Sequence, residues 1–446
     1  MNGLSRQIQV PVRRLLDVLE DLLDDRVGII RHVEEIRREP GAPAFFHYLA
    51  QACDARPLGG YQNYASGGGA ASERTSALGK AVGEAIERYC SAFYRLDELP
   101  FSPYASASFD CIPPESFALY EQTQYQDPEF PYVPFTESTP IHWTPSVDLA
   151  TGAPVHVPAA MVFMPYHFDT AAGEPPFCQR ISTGLACHCS FEEAAVGGIC
   201  EVIERDAFTI TWQARLARPI ILRKSLPAPL ADLADRIEAT GTKLTLLFLE
   251  MDHGVPTVLS IASNTEPDGP ALIFAAASSL NPVIAARKSM EEIAHTWRLA
   301  YHLKGSPPLV SGPGCGGITS QDDHVHFFCA HENAHLANFI VSRGDPVPFD
   351  ALSDLSTGDA RSDLEVLKSR IASLGARILL ADLTTDDVRN LGLRVVRAII
   401  PGFHPLFIGH RLRALGGERL WTIPQRLGYG GITCATGDNP APHPYP

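Results

Sequence analysis

The sequence predicts a mixed α/β (α+β) fold in which two similar helix-bearing halves build one site. Three observations carry this. A charged pattern, Glu-x-x-Glu-Arg, occurs twice, as Glu84, Glu87, Arg88 and as Glu201, Glu204, Arg205. After Pro219, short apolar runs of strand length alternate with patterns of helical period. Apolar residues make up 45% of the 446 positions, enough for a substantial core, and no run approaches the ~18 apolar residues that a membrane helix requires.

The two charged patterns lie 117 positions apart, and the same shift pairs Ala77 with Ala194, Ala81 with Gly198 and Val82 with Ile199. At about 100° per residue, Glu84, Glu87 and Arg88 share one helix face, with Leu78, Val82, Ala85, Ile86 and Tyr89 opposite. Glu201, Glu204 and Arg205 likewise lie together, away from Ala195, Ile199, Val202 and Ile203. The neighbours on the charged faces are small: Ala77 and Ala81 in one, Ala194, Gly197 and Gly198 in the other. They are expected to leave room for a ligand or a second helix. One such pattern alone is ordinary pairing on a solvated helix face. Four carboxylates facing one another repel unless cations separate them. Mg2+ takes carboxylate oxygens and is completed by substrate phosphates. The repetition therefore points to a nucleotide–metal site made by two helices.

In chain order, residues 10–36 are expected as helix, from Val12, Leu15, Leu16, Val18, Leu19, Leu22 and Leu23, with a break at Pro40-Gly41-Ala42-Pro43. Residues 44–49 read as a strand. The Gly-rich stretch 65–72, with Ser66 and Gly68, reads as a loop entering a helix, a geometry that suits an anion; a flexible linker is the alternative. The first charged helix follows at 72–94. Residues 96–140 read as irregular, 141–164 as strands around a Thr151-Gly152 turn, and 165–180 as loop. Ser182-Thr183-Gly184-Leu185-Ala186 leads into the second charged helix, 191–216. There Ser190 and Glu193 fit a capping box, yet Glu193 also falls on the Glu201 face. A helix at 230–240, strands at 244–250, 257–262 and 272–277, and a helix at 282–303 carrying Arg287, Lys288, Glu291, Glu292 and His295 come next. Val310 to Gly317 reads as a Gly-rich turn. His324, His326, His331 and His335 are expected to face solvent; His331 and His335 are spaced to share a metal, but no further ligand stands at a familiar spacing. Strands at 378–383 and 393–400 precede Pro401-Gly402. Alternating prolines from Asn439 to Pro446 predict an extended tail. The chain so divides into a helical segment (1–44), a main domain (45–438) and the tail (439–446).

A net charge of −15 argues against a general nucleic-acid surface. Ten scattered cysteines with no C-x-x-C predict reduced thiols, and Cys187-His188-Cys189 lacks a second zinc half-site. Met1 to Arg14 holds no apolar signal region, so a cytoplasmic protein without membrane contact is expected. No Walker A, kinase or Rossmann fingerprint occurs, so a familiar nucleotide fold is not expected.

The segment from Ser76-Ala77-Leu78 to Arg88, together with Ser182 to Ala186 and Ser190 to Asp206, resembles the YcaO family, specifically the ATP-dependent cyclodehydratases that form azolines in ribosomal peptides. Asp382 to Asp386, Pro401-Gly402 and the Pro-His-Pro-Tyr-Pro end, Pro442 to Pro446, match more weakly; the proline tail points to the cyclodehydratase branch. The resemblance implies a YcaO-type fold and a site for ATP and Mg2+. In it Glu84, Glu87, Glu193, Glu201 and Glu204 hold the metal, Arg205 and either Arg287 or Lys288 face the phosphates, and the Pro446 carboxylate serves as base. Two positions depart from the family pattern: the Gly-rich stretch lacks a lysine, and Cys189 stands where an asparagine is common among the nucleotide contacts. The implied reaction converts Cys, Ser or Thr of a precursor peptide to thiazoline or oxazoline. Thioamide or amidine formation, and a nucleotide-binding scaffold without turnover, are the alternatives. Implied partners are the precursor peptide, a leader-binding protein similar to ubiquitin-activating enzymes, a flavin dehydrogenase and a second copy of the chain.

Overall fold

The computed structural model describes residues 13–39, 41–266, 268–306, 315–341, 345–433 and 435–446. The start of the expected first helix, Pro40 and most of the turn beginning at Val310 lie outside them. The chain forms two compact units. The first comprises Met1–Ile36, Phe46–Val202 and Thr357–Gly402; the second comprises Arg37–Phe45, Ile203–Ser356 and Phe403–Pro446.

In the first unit, β1 (Ile30–Ile36), β2 (Phe46–Ala52) and β3 (Ser66–Ala71) form an antiparallel sheet in that order. Helix α1 (Arg74–Cys90) packs on it, burying Ala81, Val82, Ala85, Ile86 and Tyr89 with Ile30, Ala50 and Ala52. A second antiparallel sheet runs β4 (Phe101–Ser102), β5 (Ile141–Asp148), β11 (Leu379–Asp382), β12 (Arg394–Ile399), β7 (Leu185–His188), with β6 (Pro154–Pro158) paired to β5. Trp143, Val157, Val162, Tyr166 and Phe177 form an aromatic-rich core beside it.

Two expectations are corrected here. Residues 30–36 are strand, not the end of a helix. Asp24 accepts the N–H groups of Arg26 and Val27 and turns the chain, after which pairing with β2, Val33 opposite Ala50, overrides the helical pattern. The Gly-rich stretch is strand β3, not a loop. Glycine is required there because β3 lies directly on the α1 backbone: a Cβ on Gly69 would meet the Ala77 carbonyl oxygen at 2.2 Å, and one on Gly67 the Ala81 oxygen at 2.5 Å. The small residues of α1 thus accept a strand rather than leaving room for a ligand or a second helix.

Helix α2 (Phe191–Gln213) begins in the first unit and ends in the second. Its start is fixed by Ser190, whose Oγ accepts the Glu193 N–H at 3.2 Å.

The second unit holds an antiparallel sheet of β8 (Lys243–Phe248), β9 (Thr257–Ser263) and β10 (Leu272–Ser278), with β9 central. Both faces are buried, which is why these strands read as near-continuous apolar runs. Leu244, Leu246, Val258, Ala262, Ile273 and Ala275 face α3 (Ala228–Glu238) and α4 (Pro282–Lys304). Leu247, Leu259, Ile261, Phe274 and Ala276 face Phe208, Trp212, Phe328 and Tyr445. Asn281 caps α4 by accepting the Val283 and Ile284 N–H groups, with Pro282 at its first position.

Helix α5 (Gln321–Cys329) corrects another expectation: His324 and His326 are buried, not solvent-facing. The His324 and His443 rings stack at 3.8 Å. His331 Nε2 lies 3.1 Å from the Glu266 carbonyl oxygen and His335 Nδ1 2.7 Å from that of Glu332. Among the described residues no helix is long and apolar enough to cross a membrane, and the nine cysteines are free thiols.

Candidate functional site

Each charged helix holds the backbone of the strand before it. Glu84 on α1 accepts the Gly68 N–H at 2.8 Å, and Glu201 on α2 accepts the Gly184 N–H at 3.1 Å. The correspondence extends to packing. The shift that carries Glu84 to Glu201 carries Arg74, the first residue of α1, to Phe191, the first of α2. It also carries Ala81 to Gly198, where a Cβ would meet the Gly184 carbonyl oxygen at 2.4 Å. Gly184 has φ +88°, a conformation that favours glycine. The sequence repeat is therefore a repeated strand–helix unit, β3–α1 and β7–α2.

Glu87 joins the two units of the repeat: one of its oxygens accepts the Cys187 N–H of β7 at 2.7 Å. Its carboxyl is pushed up to about 8, first by burial and then by Glu84, with a further contribution from Glu201 and partial relief from Arg88. Glu84 and Glu201 thus both act electrostatically on Glu87. Arg88 pairs with Glu84 at 3.0 Å.

The carboxylates of this set suit Mg2+, which takes hard oxygen donors. The fit rests on Glu87: a carboxyl that keeps its proton through burial, and next through the charges of Glu84 and Glu201, is one that a nearby divalent cation would relieve. Among the described residues, no three His, Cys, Asp or Glu side chains form a preformed metal cage; one oxygen each of Glu84, Glu87 and Glu201 instead holds a backbone N–H.

Other expected residues are placed differently. The Glu193 carboxylate accepts from Ser190 Oγ, at 3.1 Å to its Oε2, and His188 Nδ1 lies 2.8 Å from the same oxygen. The His188 contact is the main reason its carboxyl is held below the ordinary range. Cys189 packs half-buried against the α1 core, and burial raises its thiol. Ser66 lies exposed at the start of β3. On α4, Arg287 is half-buried and Lys288 exposed.

In the second unit, Glu204 and Arg205 meet the tail. Arg205 Nη1 donates to Glu204 at 2.6 Å, and its guanidinium lies 4.6 Å from the Tyr445 ring centroid. The Tyr445 hydroxyl donates to the same Glu204 oxygen at 2.5 Å. The tail is built in: Trp212 Nε1 donates to the Ala441 oxygen, Asn439 Nδ2 to the Trp212 oxygen, and His443 Nε2 lies 2.7 Å from the Phe407 oxygen. Ala441 to Tyr445 are buried and Pro446 is half-buried.

Sequence reasoning missed three participants. Tyr445 had no helical or strand period to place it. His188 was read only as part of a weak zinc pattern. Arg397, buried on β12 beside Val395, Val396 and Ala398, carried a signal that could have found it, namely a charge in the interior of an apolar strand, past the Arg394 at its start.

Residues 68–404 match the family model described as YcaO cyclodehydratase, ATP- and Mg2+-binding. An uncharacterized protein of Methanothermobacter thermautotrophicus is 28% identical over 406 residues, covering 87% of this chain and 93% of its own. A heterocyclase solved in complex with substrate and cofactor superposes with a TM-score of 0.79 at 21% identity, over 97% of this chain and 57% of that one. YcaO from Methanopyrus kandleri, bound with AMPPCP and Mg2+, superposes with a TM-score of 0.63 at 22% identity, over 89% of this chain and 91% of that one. This chain therefore spans little more than half of the heterocyclase and nearly all of the two archaeal proteins. With the family model covering most of its length, the chain belongs to the YcaO family, whose ligands are ATP and Mg2+.

Proposed function

We propose that the chain is an ATP-dependent peptide cyclodehydratase, which converts Cys, Ser or Thr of a ribosomally made precursor to thiazoline or oxazoline. The side-chain thiol or hydroxyl adds to the preceding amide carbonyl, giving a hemiorthoamide. Its oxygen takes the γ-phosphoryl group of ATP, and phosphate then leaves as the C=N bond forms. The balance is one water lost from the peptide and ATP converted to ADP and phosphate. Phosphoryl transfer depends on positioning and charge neutralisation more than on covalent catalysis.

The observation that carries this reading is the Glu87 carboxyl, raised to about 8 by burial first and then by Glu84, with a further contribution from Glu201. In this reading these three carboxylates would hold Mg2+, which would supply charge neutralisation for the nucleotide phosphates. Glu204, one turn further along α2, adds to the set, and Glu193 contributes from the first turn of the helix. The Gly68, Gly184 and Cys187 N–H groups fix the carboxylates before nucleotide arrives. Arg205, oriented by Glu204 and Tyr445, faces the phosphates together with Arg287. The Pro446 carboxylate removes the proton released on cyclisation. Extending the chain past Pro446 is expected to abolish ring formation and spare ATP binding; unchanged ring formation would remove the tail from the mechanism.

A leader-binding partner delivers the peptide in this reading, which accords with the greater length of the substrate-bound heterocyclase. The test is mass spectrometry of the precursor peptide incubated with the chain, partner, ATP and Mg2+. Loss of one water per ring, abolished by Glu201→Gln, is expected. In a parallel incubation with added sulfide, exchange of oxygen for sulfur would assign thioamide formation instead, and ATP consumption without mass change in either would refute peptide modification.

A further inference from the structure

Arg397 is 5% exposed. Its Nε donates to the Met161 carbonyl oxygen at 3.1 Å and its Nη2 to that of Ile181 at 2.6 Å. Its Nη1 is buried with no hydrogen-bond partner. A guanidinium cannot shed this mismatch by rotating, because its five donors form a rigid fork. Buried donors left unmade are costly, and native chains keep few of them without a functional reason.

The position of this group is specific. Arg397 lies opposite Leu185 in the β12–β7 pair, and the next residue, Ala398, donates its N–H to the Gly184 oxygen at 2.8 Å. Gly184 in turn donates to Glu201. The Ile181 carbonyl held by Arg397 belongs to the segment entering that turn. Burial lowers the guanidinium to about 10, opposed mainly by Glu201, while Arg88 lowers it further. Arg397 is thus a buried cation within the electrostatic reach of the carboxylate set, with two carbonyls fixing its plane and one nitrogen left to donate.

We infer that Arg397 is a further anion-binding residue of this site, its Nη1 donating to a phosphate oxygen of the nucleotide. This rests on the nucleotide reading given above. A planar guanidinium held at two points is pre-ordered for a phosphate oxygen, and a charge-assisted bond in a water-poor setting is stronger than a neutral one. Arg397 would add, from β12, positive charge toward the nucleotide phosphates.

The test compares binding of ATP with Mg2+ and binding of adenosine to the wild-type chain and to Arg397→Lys, Arg397→Gln and Glu201→Gln. Both Arg397 variants are expected to weaken ATP binding, Arg397→Gln by about 10- to 100-fold, the range for a lost charge-assisted bond, and to leave adenosine affinity unchanged. Equal losses for ATP and adenosine would show that Arg397 only braces the Met161 and Ile181 segments, and would overturn the inference. Unchanged ATP affinity in both variants, with Glu201→Gln impaired, would overturn it while leaving the nucleotide site intact. Failure of the wild-type chain to bind ATP would overturn the site reading and this inference together. Should the variants not fold, a crystal structure of the wild-type chain with ATP and Mg2+ decides: Nη1 is expected within hydrogen-bond distance of a phosphate oxygen, and a longer separation with no bridging water overturns the inference.

Discussion

The two strand–helix units share a scaffold and differ in what surrounds their arginines. In β3–α1 and in β7–α2 a glutamate of the helix grips a backbone N–H of the preceding strand or turn, and glycine allows the backbones to touch. Arg88 then pairs with Glu84 on its own helix, four residues back. Arg205 pairs with its neighbour Glu204 and lies over the ring of Tyr445 from the tail. The duplicated part is the device that orients carboxylates. In the second copy the arginine also meets the tail, at the Tyr445 ring.

Substituting the close-contact glycines strikes at the shared part and should have the largest effect. Gly69→Ala and Gly198→Ala each force a methyl group against a backbone oxygen, at 2.2 and 2.4 Å. Each should lower stability by about 1–3 kcal/mol, the range for overpacking in a core, as measured by urea unfolding. Gly83, on α1, has nothing within 4 Å of its Cβ position, so Gly83→Ala should be neutral or stabilise by about 0.5–1 kcal/mol. Equal behaviour of all three would remove close approach as the basis of the repeat.

The difference between the copies is probed at Tyr445. Tyr445→Phe removes the bond to Glu204 and two contacts with the Ala276 backbone. A stability loss of about 1 kcal/mol is expected, with ATP turnover falling about tenfold as Arg205 loses its orientation. Turnover that stays at the wild-type level would reduce the tail to packing.

A smaller effect sharpens the asymmetry through pH. The Glu87 carboxyl titrates near 8 in the folded chain against an ordinary 4.5. Between those values the native state holds a proton that the unfolded state has released. Without Mg2+, stability should therefore fall as pH rises through that window, by on the order of 1 kcal/mol or less for a half-buried group. Glu87→Gln should flatten the profile. A profile equally steep in the variant would assign the slope to other groups.

Much of this arrangement was legible in the sequence. The charged patterns gave both helices and the offset between them, because helical period and charge spacing are local properties. The apolar runs of the second unit located β8, β9 and β10. What failed was decided by tertiary contact. Residues 30–36 became strand because β2 offered a partner, and the Gly-rich stretch became β3 because α1 offered small residues to lie on. Glu193 was divided between cap and ligand in the sequence, and its contacts with the Ser190 hydroxyl and His188, a residue no capping pattern includes, could not be read from either pattern. Arg397 lies almost 200 positions beyond Glu201, and no local pattern connects the two.

The central claim is that the two copies of the strand–helix unit serve one nucleotide–metal site, and a double-mutant cycle tests it directly. ATP affinity in the presence of Mg2+ would be measured for the wild-type chain, Glu84→Gln, Glu201→Gln and the double variant. Carboxylates sharing one ligand should couple, so that the double variant binds ATP more tightly than the sum of the single losses requires, by about 1 kcal/mol or more. Losses that add to within about 0.5 kcal/mol would contradict the account, because independent sites behave that way.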